Sequence, residues 1–458
     1  MRRAVPSWVL LLVTIGAVSA GKETVARQNP GSPAPSPQQN PASGPPSRAT
    51  AAGRPLTLEE AEAIGFRNNP QITVGKLQAL QAQQYYRETR AALMPQAYID
   101  LTGVGANNGS RLAAGYLTSG RLFSRAAGGA TVSQLITDFG RTPNLLASSR
   151  YQAKAVDESA VATRQQITLA VDQAFYNSLE TKALLIVADE TVKARQTLVD
   201  QVDALTNAKL KSDLDLAFAK VELARAQLFQ LDAQNNYDAS LSALSAILGY
   251  PDQQDFVPVE PSTPITPPAA DPAPLIQQAM DLRPEIRGLK DEVSAAEKFA
   301  KAEHDLLWPT VQGLGVVGQA PVRNENIPAW YGAAGVNVTI PVFTGFLFNA
   351  RAKAADFSTD IKRKQLQDMQ DNVARDVRNG WLDTGKAYQR LSVTRQLREQ
   401  ADLGLELAQA RYKLGLGTIV EYTQAELQKT DSDIQDTDAH YQYLLSQIVL
   451  AYDMGLTR

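Results

Sequence analysis

The chain has 458 residues with 45 Lys and Arg against 48 Asp and Glu, a net charge of −3 that disfavours general binding to nucleic acid. It contains no cysteine and two histidines, His304 and His440. That excludes disulfides, thiolate chemistry and a multi-histidine metal centre within one chain, and no cofactor site is read. Aromatics are only 7% and Ala is abundant, which is thin material for a large globular core and suits long, narrowly packed helices.

Arg2 and Arg3 precede an apolar run from Trp8 to Val18, and Val18-Ser19-Ala20 offers small residues for processing. Residues 1–20 are therefore expected to be a secretory signal peptide, cleaved after Ala20. No later stretch approaches the ~20 apolar residues of a transmembrane helix, so any insertion into lipid must use strands. Residues 21–55 are rich in Pro, Ser, Gly and Gln and read as a disordered tether.

The rest of the chain is self-similar. Asn69-Pro70-Gln71-Ile72 recurs as Arg283-Pro284-Glu285-Ile286, and Met94-Pro95 as Trp308-Pro309. Further on, Ala174-Phe175 pairs with Gly380-Trp381, Asp215 with Glu421, and Leu248-Gly249 with Met454-Gly455, all 206 residues apart. The prolines are offset by 214, which puts eight extra residues in the first copy after Pro95. This is a duplicated unit, residues 56–249 and 275–458, joined by a Pro-rich linker over 250–274.

Each copy opens with a helix, about residues 57–93 and 273–307, the first with a Thr57/Glu60 capping box. Two short alternating strands follow: about 96–106 with 129–137, and about 310–319 with 331–340. Then come a very long helix, about 142–205 and 347–413, and a return helix, about 214–248 and 419–454. A helix of ~65 residues is ~100 Å long, so each copy predicts a two-track rod with strands at one end and a helix turn at the other. Leu427, Ile434, Tyr441 and Ile448 recur every seven residues, and Leu397, Ala401, Leu405, Ala408 and Tyr412 step by three and four; both read as packing seams. Four strands cannot close a barrel with a bore, and open edges are not viable in lipid. Three chains would supply twelve strands, enough for one.

Ile340-Pro341-Val342-Phe343-Thr344-Gly345, the N-P-x-I and R-P-E-I openings and the Leu-Gly ending resemble the TolC-like outer-membrane efflux proteins. Tyr412-Lys413-Leu414-Gly415-Leu416-Gly417-Thr418-Ile419-Val420-Glu421 is similar to that family's periplasmic tip. The resemblance spans about residues 55–458. It implies a mostly α fold with a transmembrane β-barrel: a trimeric channel-tunnel, with a 12-stranded barrel in the outer membrane and an α-helical conduit into the periplasm. It further implies docking to a periplasmic adaptor and an inner-membrane pump, for export of small molecules or proteins.

The resemblance also places a gate at Asp215, Tyr412 and Glu421 and adaptor-docking tips at Lys209, Leu210, Leu414, Gly415 and Gly417. For Asp215 and Glu421 an ordinary helix-start carboxylate is an equal reading. Gly417 stands where an arginine is often found and Gln424 where a second acid can occur. The first tip, Lys209-Leu210-Lys211-Ser212-Asp213, reads as two residues shorter and lacks the tip glycine, so a different or weaker closing network is expected.

Trp330 and Tyr331 open a strand as membrane-interface anchors or as packing in the barrel mouth. Glu303-His304-Asp305 lacks the placement of a catalytic triad and reads as a solvated helix face. Arg111, Arg121 and Arg125 fall in a polar loop, and Gly128-Gly129 lacks the spacing of a nucleotide site. No phosphate-binding loop is present, so the energy for export comes from elsewhere. The rival reading is a secreted, non-pore coiled-coil scaffold or adaptor.

Overall fold

The computed structural model describes residues 53–105, 111–114, 117–121, 125–261, 265–320 and 328–457. The expected signal peptide, and the Pro-rich segment as far as residue 52, lie outside the described residues.

The first copy begins with β1 (Arg54–Leu56), α1 (Leu58–Asn68) and α2 (Pro70–Ala91). The single opening helix expected there is broken. Proline forces its predecessor out of the helical region, and Asn69 sits at φ −68°, ψ 121°. Asn69 caps both pieces: its Oδ1 accepts from the Gln71 amide at 2.9 Å, and its Nδ2 donates to the Ile247 carbonyl at 3.0 Å. Thr57 and Glu60 do form the expected capping box.

The strands are β2 (Gln96–Val104), β3 (Arg111–Ala114), β4 (Leu117–Arg121) and β5 (Arg125–Thr137). The loop expected to be polar and irregular thus carries the antiparallel pair β3–β4, and the last strand starts four residues earlier than expected. Next come α3 (Arg141–Asn207), α4 (Asp213–Ile247) and β6 (Phe256–Pro258).

The second copy follows with α5 (Ala273–Leu282), α6 (Pro284–His304), β7 (Thr310–Gln319), β8 (Trp330–Thr339), α7 (Leu347–Lys413) and α8 (Ile419–Asp453). Its opening helix breaks at Arg283, φ −61°, ψ 121°, for the same reason. The Arg283 guanidinium donates to the carbonyls of Tyr452 and Asp453, repeating the tie that Asn69 makes to Ile247.

The duplication is exact in the long and return helices. α3 and α7 both have 67 residues and α4 and α8 both have 35, at a constant offset of 206. The two tips are therefore equally long, which corrects the expectation of a shorter first tip. At 1.5 Å per residue, α3 and α7 run about 100 Å and α4 and α8 about 52 Å.

α3 packs against α2 and α4 along one flank and against α6 and α8 along the other. α7 packs against α6 and α8. The helices thus form one layer in the order α2 with α4, α3, α6 with α8, α7. The matching cores recur: Ile72, Val171 and Leu248 in the first copy correspond to Ile286, Val377 and Met454 in the second. Gly249 (φ 85°) ends α4, and a Cβ there would lie 2.8 Å from the Asn68 carbonyl oxygen, so only glycine fits.

Residues 53–55, 250–261 and 265–274 are more ordered than a tether and a linker. β1 pairs in parallel with β6, Arg54 opposite Phe256. Beyond β6, Glu260 meets His440 Nε2 at 3.1 Å, the Thr266 carbonyl accepts from the Tyr443 hydroxyl, and the Ala269 carbonyl accepts from Trp381 Nε1 at 2.7 Å. The linker is a belt laid across α8 and α7. The seam read from Leu427, Ile434, Tyr441 and Ile448 holds in its second half and departs at Leu427. Tyr441 is buried and Ile448 packs against the same core, but Leu427 is exposed, and α8 also buries Tyr422, Glu426, Ser432, Ala439, Tyr443 and Leu444.

Candidate functional site

Two features carry function here: the strand sheet at one end of the rods and the helix turns at the other. The long strands form one antiparallel sheet in the order β2-β5-β7-β8. Register fixes its faces. Val311 lies opposite Val338, Gly313 opposite Val336 and Val317 opposite Gly332, while Ile99 lies opposite Ala130 and Ala97 opposite Val132. These residues share one face, which is apolar except for Gln134 and Gln319 near its two ends. The other face carries Gln96, Tyr98, Asp100 and Thr102 from β2, Thr131 and Ser133 from β5, Gln312 from β7, and Asn337 and Thr339 from β8. Ile99, Leu101, Val336 and Val338 are exposed in the single chain. Both outer strands, β2 and β8, have an unpaired edge among the described residues.

Trp330 and Tyr331 fall on opposite faces because strand side chains alternate. Trp330 stays on the apolar face. Tyr331 lies on the polar face, where its hydroxyl occupies the space a Cβ at Gly129 or Gly318 would need, within 2.7 and 2.6 Å. An aromatic set that sequence reading missed sits at the other end of the sheet. Phe139 stacks near Trp308 (6.2 Å) and Phe343 near Phe346 (5.9 Å), all exposed and all where strands meet helices. Their signal was Trp308-Pro309 before one strand and Phe343 and Phe346 after another. No helix among the described residues is long and apolar enough to cross a membrane.

At the other end, α3 and α7 finish alike. The Leu210 amide donates to the Leu205 carbonyl and the Leu416 amide to the Arg411 carbonyl, both at 2.8 Å. The residue that reverses the chain is left-handed in each: Gly415 at φ 73° and Lys209 at φ 59°. Leu210, Leu414 and Leu416 are exposed at the extremity.

Asp215 and Glu421 both stand three residues past a capping hydroxyl. Asp215 forms a capping box with Ser212, and the Glu421 amide donates to Thr418 Oγ1 at 3.1 Å. Their geometry within one chain is that of helix-start carboxylates. Tyr412 is buried among Leu198, Val199 and Val202 of α3, Ala219 of α4 and Tyr422 of α8. Its ring stacks on Tyr422 at 5.6 Å, Lys211 Nζ lies 4.1 Å from the ring centroid, and its hydroxyl has no partner. Burial, then Asp215, pushes the Tyr412 phenol up. So Asp215 lies close enough to act on the Tyr412 phenol, while Glu421 lies 3.9 Å from Arg411 Nε. A Cβ at Gly417 would stand 3.0 Å from Glu421 Oε2 and 3.2 Å from Arg411 Cβ. Arg411 therefore supplies a guanidinium beside the position where the resemblance expects one.

Buried ionisable groups lie between the rods. Arg195 of α3 and Glu426 of α8 form an ion pair, both almost wholly buried. Burial lowers the Arg195 pKa. The signal was a lone charge in an apolar row, Arg195 ahead of Leu198 and Val202. Asp172 of α3 is buried against Glu62 of α1, and burial first, then Glu62, pushes it up to about 7. Glu180, beside Asp438, is likewise pushed up to about 7, mainly by burial.

Comparison with known proteins agrees with this geometry. The family described as outer membrane efflux protein matches residues 66–250 and 275–455, the two copies. The chain is 21% identical to outer membrane protein TolC of Salmonella enteritidis, covering 87% of this chain and 83% of TolC. It is 24% identical to cation efflux system protein CusC of Escherichia coli K12, over 85% of this chain and 84% of CusC. The crystal structure of outer membrane protein VceC from Vibrio cholerae superposes with a TM-score of 0.75 at 17% identity, covering 87% of this chain and 96% of VceC. The chain belongs to the outer membrane efflux protein family: it is an outer-membrane component of tripartite efflux systems, a channel and not an enzyme.

Proposed function

We propose that three copies close into one passive exit duct, a 12-stranded barrel continued by a helical tunnel into the periplasm. The observation that carries this is the sheet: one mostly apolar face, a second face that holds most of the polar residues, and two unpaired edges on β2 and β8 among the described residues. Unpaired backbone is too costly in lipid, so β2 of one chain pairs with β8 of the next. The helix layer has the same need. One flank of α7 is open, and so is the far flank of α2 and α4, where Leu77, Leu80, Leu214, Phe218 and Leu228 are exposed. The neighbour's α7 covers them.

The apolar sheet face meets lipid, with Trp330 near the outer rim and the Phe139, Trp308, Phe343 and Phe346 set near the periplasmic rim. The polar face lines the bore. The tips, with Lys209, Leu210, Leu414, Gly415 and Gly417, dock a periplasmic adaptor that connects to an inner-membrane pump. Tip helices around Asp215, Tyr412 and Glu421 separate when the assembly engages, and energy comes from the pump. Planar-bilayer recording of the purified trimer tests this. Discrete conductance steps are expected, small while the tips are closed. A trimer that never conducts, with tips intact or deleted, would favour the non-pore scaffold.

A further inference from the structure

A groove of about 430 Å³ lies between α2, α3 and α6, just below the sheet, lined by Tyr86, Arg150, Tyr151, Lys154 and Lys298 together with Pro143, Leu146 and Ala147. No carboxylate lines it, and none of the three cations has a carboxylate partner within 4 Å among the described residues. Lys154 Nζ instead stands 5.3 Å from the Tyr151 ring. Some cations elsewhere on these rods are ion-paired, as in Lys362 with Glu292 and Arg390 with Asp438. Three convergent cations without an ion-pair partner among the described residues leave a positive field in the groove.

The groove's position says what meets it. On α3, Ser149, Ala160 and Thr163 turn toward α2, and Asn144, Ala155 and Glu158 toward α6. Arg150 and Lys154 occupy the broad face between those flanks. Fourteen and twenty-one residues after Arg150, the same row holds Arg164 and Val171, which lie under Phe66 and Gly65 of α1. The groove therefore shares the face that carries α1. In a closed cylinder that face is the outer one, because three such collars would plug the bore. The opposite groove is uncharged, its Gln78, Gln81, Ser149, Gln152 and Ser159 interleaved with Ala82, Tyr85, Ala153 and Val156.

Depth agrees with sidedness. α3 starts four residues after β5, beside the Phe139 and Trp308 pair. Pro143 to Lys154 then spans about 17 Å downward, starting within the headgroup layer. α3 runs away from the membrane, so its side chains lean back toward it, and the long stems of Arg150 and Lys154 extend that reach. Tyrosines with an apolar body and a polar tip suit the same zone.

We propose that this groove binds the phosphate headgroup of an anionic phospholipid in the periplasm-facing leaflet. Arg150, Lys154 and Lys298 hold the phosphate, and Tyr86 and Tyr151 flank the glycerol region. The assignment rests on the barrel reading but is measured without conductance, so the two fail separately.

The test is lipid retention. The full-length trimer is reconstituted in nanodiscs of equal phosphatidylglycerol and phosphatidylcholine, re-extracted in mild detergent, and its bound lipids are weighed by native mass spectrometry. At least a tenfold preference for phosphatidylglycerol is expected. Arg150→Gln, Lys154→Gln and Lys298→Gln combined abolish it, while Lys220→Gln, far down α4, leaves it intact. Should the triple variant not assemble, the exposed single change Lys154→Gln decides, with a loss of severalfold expected. Equal retention of both lipids, or a preference that survives the substitutions, would overturn the proposal. So would inorganic phosphate binding through the same residues without any lipid preference, since the ligand would then be a soluble anion.

Discussion

Arg195 and Glu426 fasten the long helix of the first copy to the return helix of the second. Arg195 lies 12 residues above the end of α3, about 18 Å from the tip. Both side chains are almost fully buried, so removing one leaves the other charged and unsolvated. That typically costs about 3–5 kcal/mol, whereas replacing both by apolar groups of similar volume is often neutral or stabilising. Glu222 and Tyr422 also act on Arg195, but Glu222 is engaged by Arg225 at 2.7 Å and does not replace Glu426. Arg195→Met and Glu426→Met are therefore each expected to loosen α8 from α3 by about two to three and a half orders of magnitude in the local opening equilibrium, at about 1.4 kcal/mol per decade. Amide hydrogen exchange of segments 195–210 and 419–430 in the assembled protein reads this directly. The double variant Arg195→Met/Glu426→Met is expected to restore protection to within tenfold of the parent. Unchanged exchange in both single variants, or a double variant as loose as either, would show that the pair does not hold the tip.

Asp172 and Glu180 have pKa values near 7, far above the unfolded carboxylate range, so the folded chain holds protons that the unfolded chain has released between about pH 4 and 7. Their contribution is fully present below about pH 4 and is lost as pH rises through 7; Asp172→Asn is expected to raise the melting temperature at pH 8 and flatten its slope between pH 5 and 8. An unchanged slope would refute the carboxyl-pair reading. Lys209 pays the left-handed penalty that Gly415 avoids, so Lys209→Gly is expected to stabilise the first tip and Gly415→Ala to destabilise the second, each by about 1 kcal/mol, read by hydrogen exchange at 205–212 and 411–418. Opposite signs at the two tips would be needed; equal effects contradict it. Gly318→Val puts carbon within 2.7 Å of the Gly128 carbonyl oxygen as well as onto Tyr331, so trimer yield in outer membranes should collapse, and Tyr331→Ala should not rescue it.

Much of this fold was legible because the chain states it twice. The constant offset of 206 placed the long and return helices within a few residues, and alternation placed the strands. Some local details needed three dimensions. Pro70 and Pro284 marked breaks in the opening helices, but only the ties from Asn69 and Arg283 to the return-helix carbonyls show the two pieces bent around a fixed point. β1 pairs with β6 across some 200 residues, a link no local pattern carries. The α8 seam was right at Tyr441 and Ile448 but misplaced nearer the tip, because the buried row there contains Glu426 and Ser432, polar residues that hide it from an apolar count. The tip was legible as a turn, yet its electrostatics were not. Arg411 reaches Glu421 over Gly417, and the vacancy at 417 becomes informative only when that guanidinium is seen beside it.

The central claim is that β2 of one chain is the strand next to β8 of another. The chain has no cysteine, so an introduced pair is the only one present. Within one chain β5 and β7 separate β2 from β8 by roughly 14 Å, too far for a disulfide. Ile99→Cys combined in turn with cysteine at Gly332, Ala334 and Val336 should, in at least one register and in native membranes, give a reducible ladder of covalent dimers and trimers. No interchain cross-link in any register, under conditions where each single cysteine is reactive, would contradict a barrel shared among protomers.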